Sequence, residues 1–309
     1  MNRRDFLKGL CGGMAVVAAS GLPSRLGAAV AVESQPTKMA LPTIQLGKHS
    51  VTRLIAGGNP ISGYSHTTLN MARHMREYFT VERTAEFLEH CEHLGINTWQ
   101  CDHTEKAKQA LRLAREHSCG IQFICLHAER SYDAPLKEVM ELKPIAIAHS
   151  GGVTDAMFRA GKLETVHDFV KKVHDCGVLA GVSAHNPQCI QQIEEEGWEN
   201  DFFMTCFYYV TRLPEEMQKA LGNVTVGEPF FQSDPDDMTR VMRQVKKPCL
   251  GFKILAAGRL CWTRQSVENA FKYAFRQIKR TDAVIVGMFP LYTDEVSENA
   301  GYTMEHGGA

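Results

Sequence analysis

The chain has 309 residues, of which 44% are hydrophobic and 22% charged, and its formal net charge is -1. That balance excludes a long disordered chain, a collagen-like repeat and a coiled coil. It also gives no electrostatic ground for binding nucleic acid or an anionic membrane surface. The length accommodates one large α/β domain or two smaller ones, and ten cysteines are too dilute for a disulfide-stapled miniprotein.

The chain opens Met1-Asn2-Arg3-Arg4-Asp5-Phe6-Leu7-Lys8 and continues as a small-residue apolar stretch from Gly9 to Leu22. This resembles a twin-arginine export signal, and Ala29-Val30-Ala31 offers a small-x-small cleavage site. Residues 1–31 are therefore expected to be an address, and residues 42–300 a single domain. The plainer alternative is a basic N-terminus followed by an ordinary apolar helix. Pro23 and the many glycines and alanines make the stretch too weak for a stable membrane anchor. The resemblance implies a periplasmic or otherwise exported protein, with the twin-arginine translocation machinery as a partner. That route carries folded proteins and favours a bound cofactor. Cleavage removes four basic residues (Arg3, Arg4, Lys8, Arg25) and Asp5, and moves the net charge from -1 to about -4. Nine cysteines remain, with no CxxC pair. Cys101, Cys125, Cys206 and Cys249 lie in apolar runs and read as buried free thiols.

Beyond Met39 short β-rich runs alternate with longer segments of helical period. The predicted strands are 52–56, 97–101, 121–126, 144–148, 179–182, 202–208, 249–254 and 283–286. The predicted helices are 81–94, 105–117, 134–142, 163–176, 188–195, 236–245 and 266–278. Ala85, Leu88 and Cys91 form one apolar stripe, and Ala107, Leu111 and Ala114 another. Gly95, Gly120 and Gly177 stand where helix C-caps belong. Residues 221–233, rich in Gly, Pro and Phe, read as a long loop. Eight strands with helical partners over about 250 residues are the pattern of an α/β (β/α)8 TIM barrel. An open doubly wound sheet is the alternative, disfavoured because no strand-Gly-x-Gly-x-x-Gly-helix unit occurs.

Barrel active sites lie at the C-terminal ends of the strands. Four successive strand ends carry histidines: His103, His127, His149 and His185. Together with Glu129 these are candidate ligands for a divalent metal such as zinc, which would polarise a carbonyl or activate a water. Polar strand ends that hydrogen-bond only to backbone are the bland alternative. Asp102, His149, His185 and Lys253 are the candidate catalytic residues. Lys253 ends a buried strand and must either pair with a carboxylate or face substrate. The glycine-rich loop from Gly57 to His66 reads as a place for close ligand approach. His90, Cys91, Glu92 and His93 do not match a zinc-protease helix. They, His117, His167 and His174 read as surface.

Several segments resemble the aldo/keto reductase superfamily of TIM barrels. Ile44-Gln45-Leu46-Gly47-Lys48 with Leu54-Ile55-Ala56-Gly57-Gly58 is similar to its opening strand. Gly95-Ile96-Asn97-Thr98-Trp99 and Gly177 to Ser183 are similar to the approaches to its second and fifth strands. Leu255-Ala256-Ala257-Gly258-Arg259-Leu260 resembles its seventh-strand loop, and Val286-Gly287-Met288 with Asp294, Glu298 and Asn299 its closing segment. The resemblance implies NADP(H), with Gly258, Arg259 and Asn299 as cofactor-binding residues, and a catalytic Asp, Tyr, Lys and His. His149 occupies the His position. The Asp position holds Gln100, with Asp102 two residues on. No Tyr follows at the expected place, and His127 stands where the family has Lys. The Ser-Asn pair is interrupted as Ser183-Ala184-His185-Asn186, the Ser-Pro is Lys253-Ile254, and basic residues are missing around Met288-Phe289-Pro290. Two functions remain. One is an enzyme acting on a small polar, carbonyl- or sugar-like molecule, either with a non-classical His-rich site or as an NADP(H)-dependent oxidoreductase. The other is a non-catalytic periplasmic ligand-binding protein on the same scaffold.

Overall fold

The computed structural model describes residues 39–308; the expected export segment, residues 1–31, lies outside them. The described chain begins with an antiparallel hairpin, β1 (Thr43–Leu46) and β2 (His49–Thr52). Eight strands follow: β3 (Leu54–Gly57), β4 (Thr98–Asp102), β5 (Gln122–His127), β6 (Ala146–His149), β7 (Leu179–Ala184), β8 (Phe202–Cys206), β9 (Cys249–Phe252) and β10 (Ala283–Gly287). All are parallel to their neighbours, and β10 pairs with both β9 and β3, closing the barrel. The helices are α1 (Asn59–Ser62), α2 (Leu69–Tyr78), α3 (Val81–His93), α4 (Glu105–Glu116), α5 (Leu136–Met140), α6 (Gly151–Arg159), α7 (Glu164–Asp175), α8 (Pro187–Glu195), α9 (Pro214–Leu221), α10 (Asp234–Gln244), α11 (Arg264–Gln277) and α12 (Glu295–His306). Among the described residues no helix is long and apolar enough to cross a membrane.

All eight expected strands form, with ends shifted by one or two residues. The expected stripes on α3 and α4 are buried, because residues spaced three and four apart share the face turned to the barrel. Thr80 and Thr104 start these helices by accepting the Arg83 and Ala107 N–H groups, satisfying donors that lack an intrahelical partner. Gly95 and Gly177 adopt the left-handed conformation after their helices, but after α4 it is Ser118, at φ 71°, that does so. Gly120 instead gives its N–H to Glu92. Four longer helices escaped the periodicity reading. α2 and α9 each bury one residue, Ala72 and Met217, so neither shows an apolar stripe. α6 opens on Gly151-Gly152, which reads as loop, and α12 has a weakly apolar pattern interrupted by Gly301.

Ile55, Ile124, Ala146, Ala148, Phe202, Met204, Leu250 and Ile285 fill the barrel interior, and Ile44, Leu46 and Val51 of the hairpin join the same cluster. Ile44 to Lys48 are therefore not the opening barrel strand. They belong to a hairpin that plugs the N-terminal end, where sealing apolar side chains gains more than extending β3. Gly181 has no room for a side chain, since a Cβ there would lie 2.3 Å from the Phe202 ring. A second, larger cluster lies between the strands and the helices. The thiols of Cys101, Cys125, Cys206 and Cys249 are buried and free, and none of the nine described cysteines is in a disulfide.

Arg53, just before β3, is 2% exposed. Its Nε donates to the Asp282 carbonyl at 2.9 Å and its Nη2 to the Lys279 carbonyl at 2.9 Å. Its Nη1 donates to the Gly307 carbonyl, and Phe275 stacks beneath the guanidinium at 4.9 Å. The first and last strands of the barrel are thus joined by one buried cation bonded through each of its three nitrogens, an arrangement lysine cannot reproduce. Arg53→Ala should cost about 3–5 kcal/mol, because it leaves carbonyls buried without donors, and Arg53→Lys should recover only part of it. Urea denaturation followed by far-UV circular dichroism measures both.

Candidate functional site

Side chains alternate between the barrel interior and the helix layer. On β4 the inward residues at the C-terminal end are Gln100 and Asp102; on β7 they are Gly181 and Ser183, a phase that His185 continues. His185 meets Phe252 of β9 edge-on at 5.4 Å. β5 and β6 end in the other phase. Leu126 and Ala148 face the interior cluster, and His127 and His149 turn outward to flank Phe169 of α7.

His185 is the best-positioned imidazole. Its Nδ1–H donates to the Asp155 carboxylate at 2.9 Å. Asp155 is fully buried and also accepts the His185 and Asn186 backbone N–H groups and the Thr211 hydroxyl. A buried anion is tolerated when its lone pairs are filled in this way. Burial lowers the His185 pKa, with the Asp155 hydrogen bond opposing it, so the ring is neutral near pH 7. Its Nε2 makes no hydrogen bond among the described residues and is not sealed off. Gly151 at the start of α6 makes this possible: a Cβ there would sit 2.8 Å from Ser183 Oγ and 3.1 Å from the His185 ring.

His149 is held by the residue next to Asp155. Thr154 gives its hydroxyl proton to the Ser150 carbonyl and accepts the His149 Nδ1–H at 2.7 Å. Burial, followed by His127 and Arg130, pushes the His149 pKa down to about 4. The expected metal cluster does not assemble. His127 donates Nε2–H to the Ala134 carbonyl and accepts the Glu129 N–H on Nδ1, so both ring nitrogens are committed. Glu129, at φ 53°, turns to the surface and pairs with Lys172 at 2.8 Å. His103 Nε2 is sealed without a partner among the described residues. Strand alternation then places His185 inside and His127 and His149 outside. The one described group of three converging His or carboxylate ligands is Glu268, Glu305 and His306. It lies on α11 and α12, at the end of the barrel where Arg53 meets Gly307. The five residues His103, His127, Glu129, His149 and His185 therefore do not fit a shared ion.

Asp102 sits inside the rim, with its pKa raised chiefly by burial against the opposing pull of Arg130. Lys253 stands at φ 60° just past β9, with Nζ 5.1 Å from the Phe252 ring and no carboxylate within 4 Å among the described residues. It lies within electrostatic reach of His185 and of Glu228 on the rim loop. The Arg259 guanidinium is already committed: it donates to the His66 and Ala256 carbonyls and stacks on Phe230 at 3.8 Å. Gly258 is exposed and Asn299 is buried on α12. With Arg259 engaged, these residues as placed do not form a seat for a dinucleotide phosphate. The loop glycines Gly57 and Gly58 pack against Gly287 and Cys101 and leave no gap for a ligand. The long loop 222–233 crosses the rim, where Glu228 accepts the His66 Nδ1–H at 2.9 Å and Phe230 packs on Tyr208. A cleft of about 430 Å³ opens beside His185 between α8 and α10, lined also by Gln188, Cys206, Tyr209, Arg212 and Glu216.

Asp155, Thr154 and Thr211 carry the geometry, and sequence reasoning passed over all three. The only local signal was Ser150-Gly151-Gly152 after a strand, a helix start for which Asp155 falls one turn in.

No protein-family model matches this chain, and no curated protein matches it. Solved structures do. The chain is similar to Gox0644 in its apo form, with TM-score 0.52 and 13% identity, over 87% of this chain and 93% of that one. It is similar to an aldo/keto reductase from Brucella melitensis, with TM-score 0.49 and 14% identity, over 84% and 91%. It is also similar to a truncated 3-deoxy-D-arabino-heptulosonate 7-phosphate synthase from Thermotoga maritima, with TM-score 0.47 and 15% identity, over 87% and 91%. At these identities the likeness is one of fold. The protein is an α/β protein, a closed (β/α)8 barrel.

His149 gives a pH test. Its folded pKa of about 4 lies below the 6.5 of an unfolded histidine, so the unfolded chain binds more protons between those values. Stability should fall as pH drops from 6.5 to 4, by on the order of 3 kcal/mol from this ring. Urea melts at pH 7 and pH 4.5 should show a smaller drop for His149→Asn than for the parent. An equal drop would remove His149 as the cause.

Proposed function

We propose that this barrel is an enzyme that moves a proton on a small, polar, carbonyl- or sugar-like substrate, with His185 as the general base. The Asp155–His185 pair carries this reading. The carboxylate fixes the tautomer so that Nε2 carries the lone pair, and the neutral ring is ready to accept a proton near pH 7. Lys253 is placed to stabilise the oxyanion that forms on the substrate carbonyl when the adjacent C–H is deprotonated. Asp102, whose carboxylate has no hydrogen-bond partner among the described residues, would accept a hydrogen bond from a substrate hydroxyl. His149 supports the wall between α6 and the loop after β5. A ligand-binding protein without chemistry does not require a buried carboxylate to orient an imidazole. No step is assigned to a metal or a nicotinamide, because His127, Glu129 and Arg259, expected among the residues that would hold them, are engaged elsewhere. Export through the twin-arginine route belongs to the proposal and rests on Arg3-Arg4 and the stretch that follows.

The test does not require the substrate to be known in advance. The protein is incubated in D2O with a panel of aldoses, ketoses and α-hydroxyketones, and exchange of the C–H next to the carbonyl is followed by proton NMR. The expected result is exchange with at least one compound, reduced about 100-fold or more by His185→Gln and by Asp155→Asn. The acid limb of its pH profile should lie below the ordinary histidine value, since the His185 pKa is lowered. Full exchange activity in Asp155→Asn would sink the assignment.

A further inference from the structure

The half of the mouth opposite His185 has its own chemistry. Three consecutive barrel strands, β3, β4 and β5, deliver Tyr64, Asp102, and Arg130 with Tyr132. The two tyrosines are 52% and 76% exposed, so ring area is open to a ligand on this side of the mouth. Arg130 is immobilised: it pairs with Asp133 at 2.9 Å, whose carboxylate also accepts the Ala128 and Arg130 N–H groups, and it packs on the Tyr132 ring at 4.8 Å. Asp102 lies within electrostatic reach of Tyr64 and Arg130, and its carboxylate has no hydrogen-bond partner among the described residues.

We propose that Tyr64 and Tyr132, flanking Asp102, form a binding platform for a neutral glycan whose terminal unit reaches the His185 side of the mouth. This deepens the acid–base reading above and rests on it for the position of the reacting end. A pyranose ring presents C–H bonds on its faces and hydroxyls around its edge. The faces stack on exposed aromatic rings by apolar burial and dispersion, while the edge supplies the donors that an unpaired carboxylate accepts. Charge selects against the alternatives. Asp133 neutralises Arg130, the arginine packed on Tyr132, and the Asp102 carboxylate beside the rings disfavours a phosphate or carboxylate, so a neutral ligand is preferred there. A peptide would find neither a free strand edge, since the barrel is closed, nor an apolar groove.

The experiment is calorimetric titration of the purified full chain with tetrasaccharides of β-1,4-glucose, α-1,4-glucose, N-acetylglucosamine and mannose. The matching monosaccharides, trialanine and inorganic phosphate serve as comparisons. At least one tetrasaccharide should bind about tenfold tighter than its monosaccharide. Tyr64→Ala with Tyr132→Ala should abolish that gain without lowering the melting temperature, and Tyr64→Phe with Tyr132→Phe should keep most of it. The platform is overturned if no tetrasaccharide outbinds its monosaccharide, if the double alanine variant binds like the parent, or if trialanine or phosphate is the ligand that binds. Deuterium exchange reads the other half. Chain-length-dependent binding without exchange refutes the acid–base reading and leaves the platform standing, whereas exchange without a chain-length gain does the reverse.

Discussion

Closing eight parallel strands into a barrel leaves each strand side chain two destinations, the interior or the helix layer. A neighbour in sequence always takes the other one. Everything at the mouth follows from that alternation. Histidines that look equivalent as strand-end residues are divided by it: His185 shares the inward phase of Ser183, while His127 and His149 share the outward phase and flank Phe169. Closure itself depends on the seam between β10 and β3, where Arg53 binds carbonyls from the final turns of the chain.

Helix α6 couples this scaffold to the site. Thr154 and Asp155, adjacent in sequence, each hold one imidazole by Nδ1. The helix can lie close enough only because Gly151 has no side chain. Asp155 is accommodated in a fully buried position because its oxygens receive donors from two segments, the link from β7 to α8 and the loop after β8. Packing and function therefore share the same hydrogen bonds. A substitution that loosened α6 would disturb both rings at once.

The mouth divides into two chemically distinct halves on a fold that is common among enzymes. Past the ends of β7 and β9 lie an oriented neutral imidazole and an unpaired lysine. Above β3 to β5 lie exposed aromatic rings, an unpaired carboxylate and an arginine whose charge is already neutralised. The resemblance to the aldo/keto reductases is one of sequence segments placed around a common barrel fold. It does not extend to the Asp-Tyr-Lys set, since Gln100 and His127 stand where the family has Asp and Lys, and His127 is locked between two backbone groups.

The barrel was legible because its evidence is local. Runs such as 121–126 and 202–206 have β-rich composition, and the α3 and α4 stripes repeat at helical spacing. Burial of Cys101, Cys125, Cys206 and Cys249 followed from the same runs. The mouth was legible as a place, and Asp102, His185 and Lys253 do lie there. Local pattern could not separate a strand-end histidine facing the interior from one facing a helix, because the phase depends on where each strand begins to pair. Nor could it reveal that Asp155, 30 residues before His185, would become its partner. Residue types and their spacing determined which elements form; the closed tertiary structure decided which side chains meet, because only closure sets strand phase and brings distant donors around one buried carboxylate.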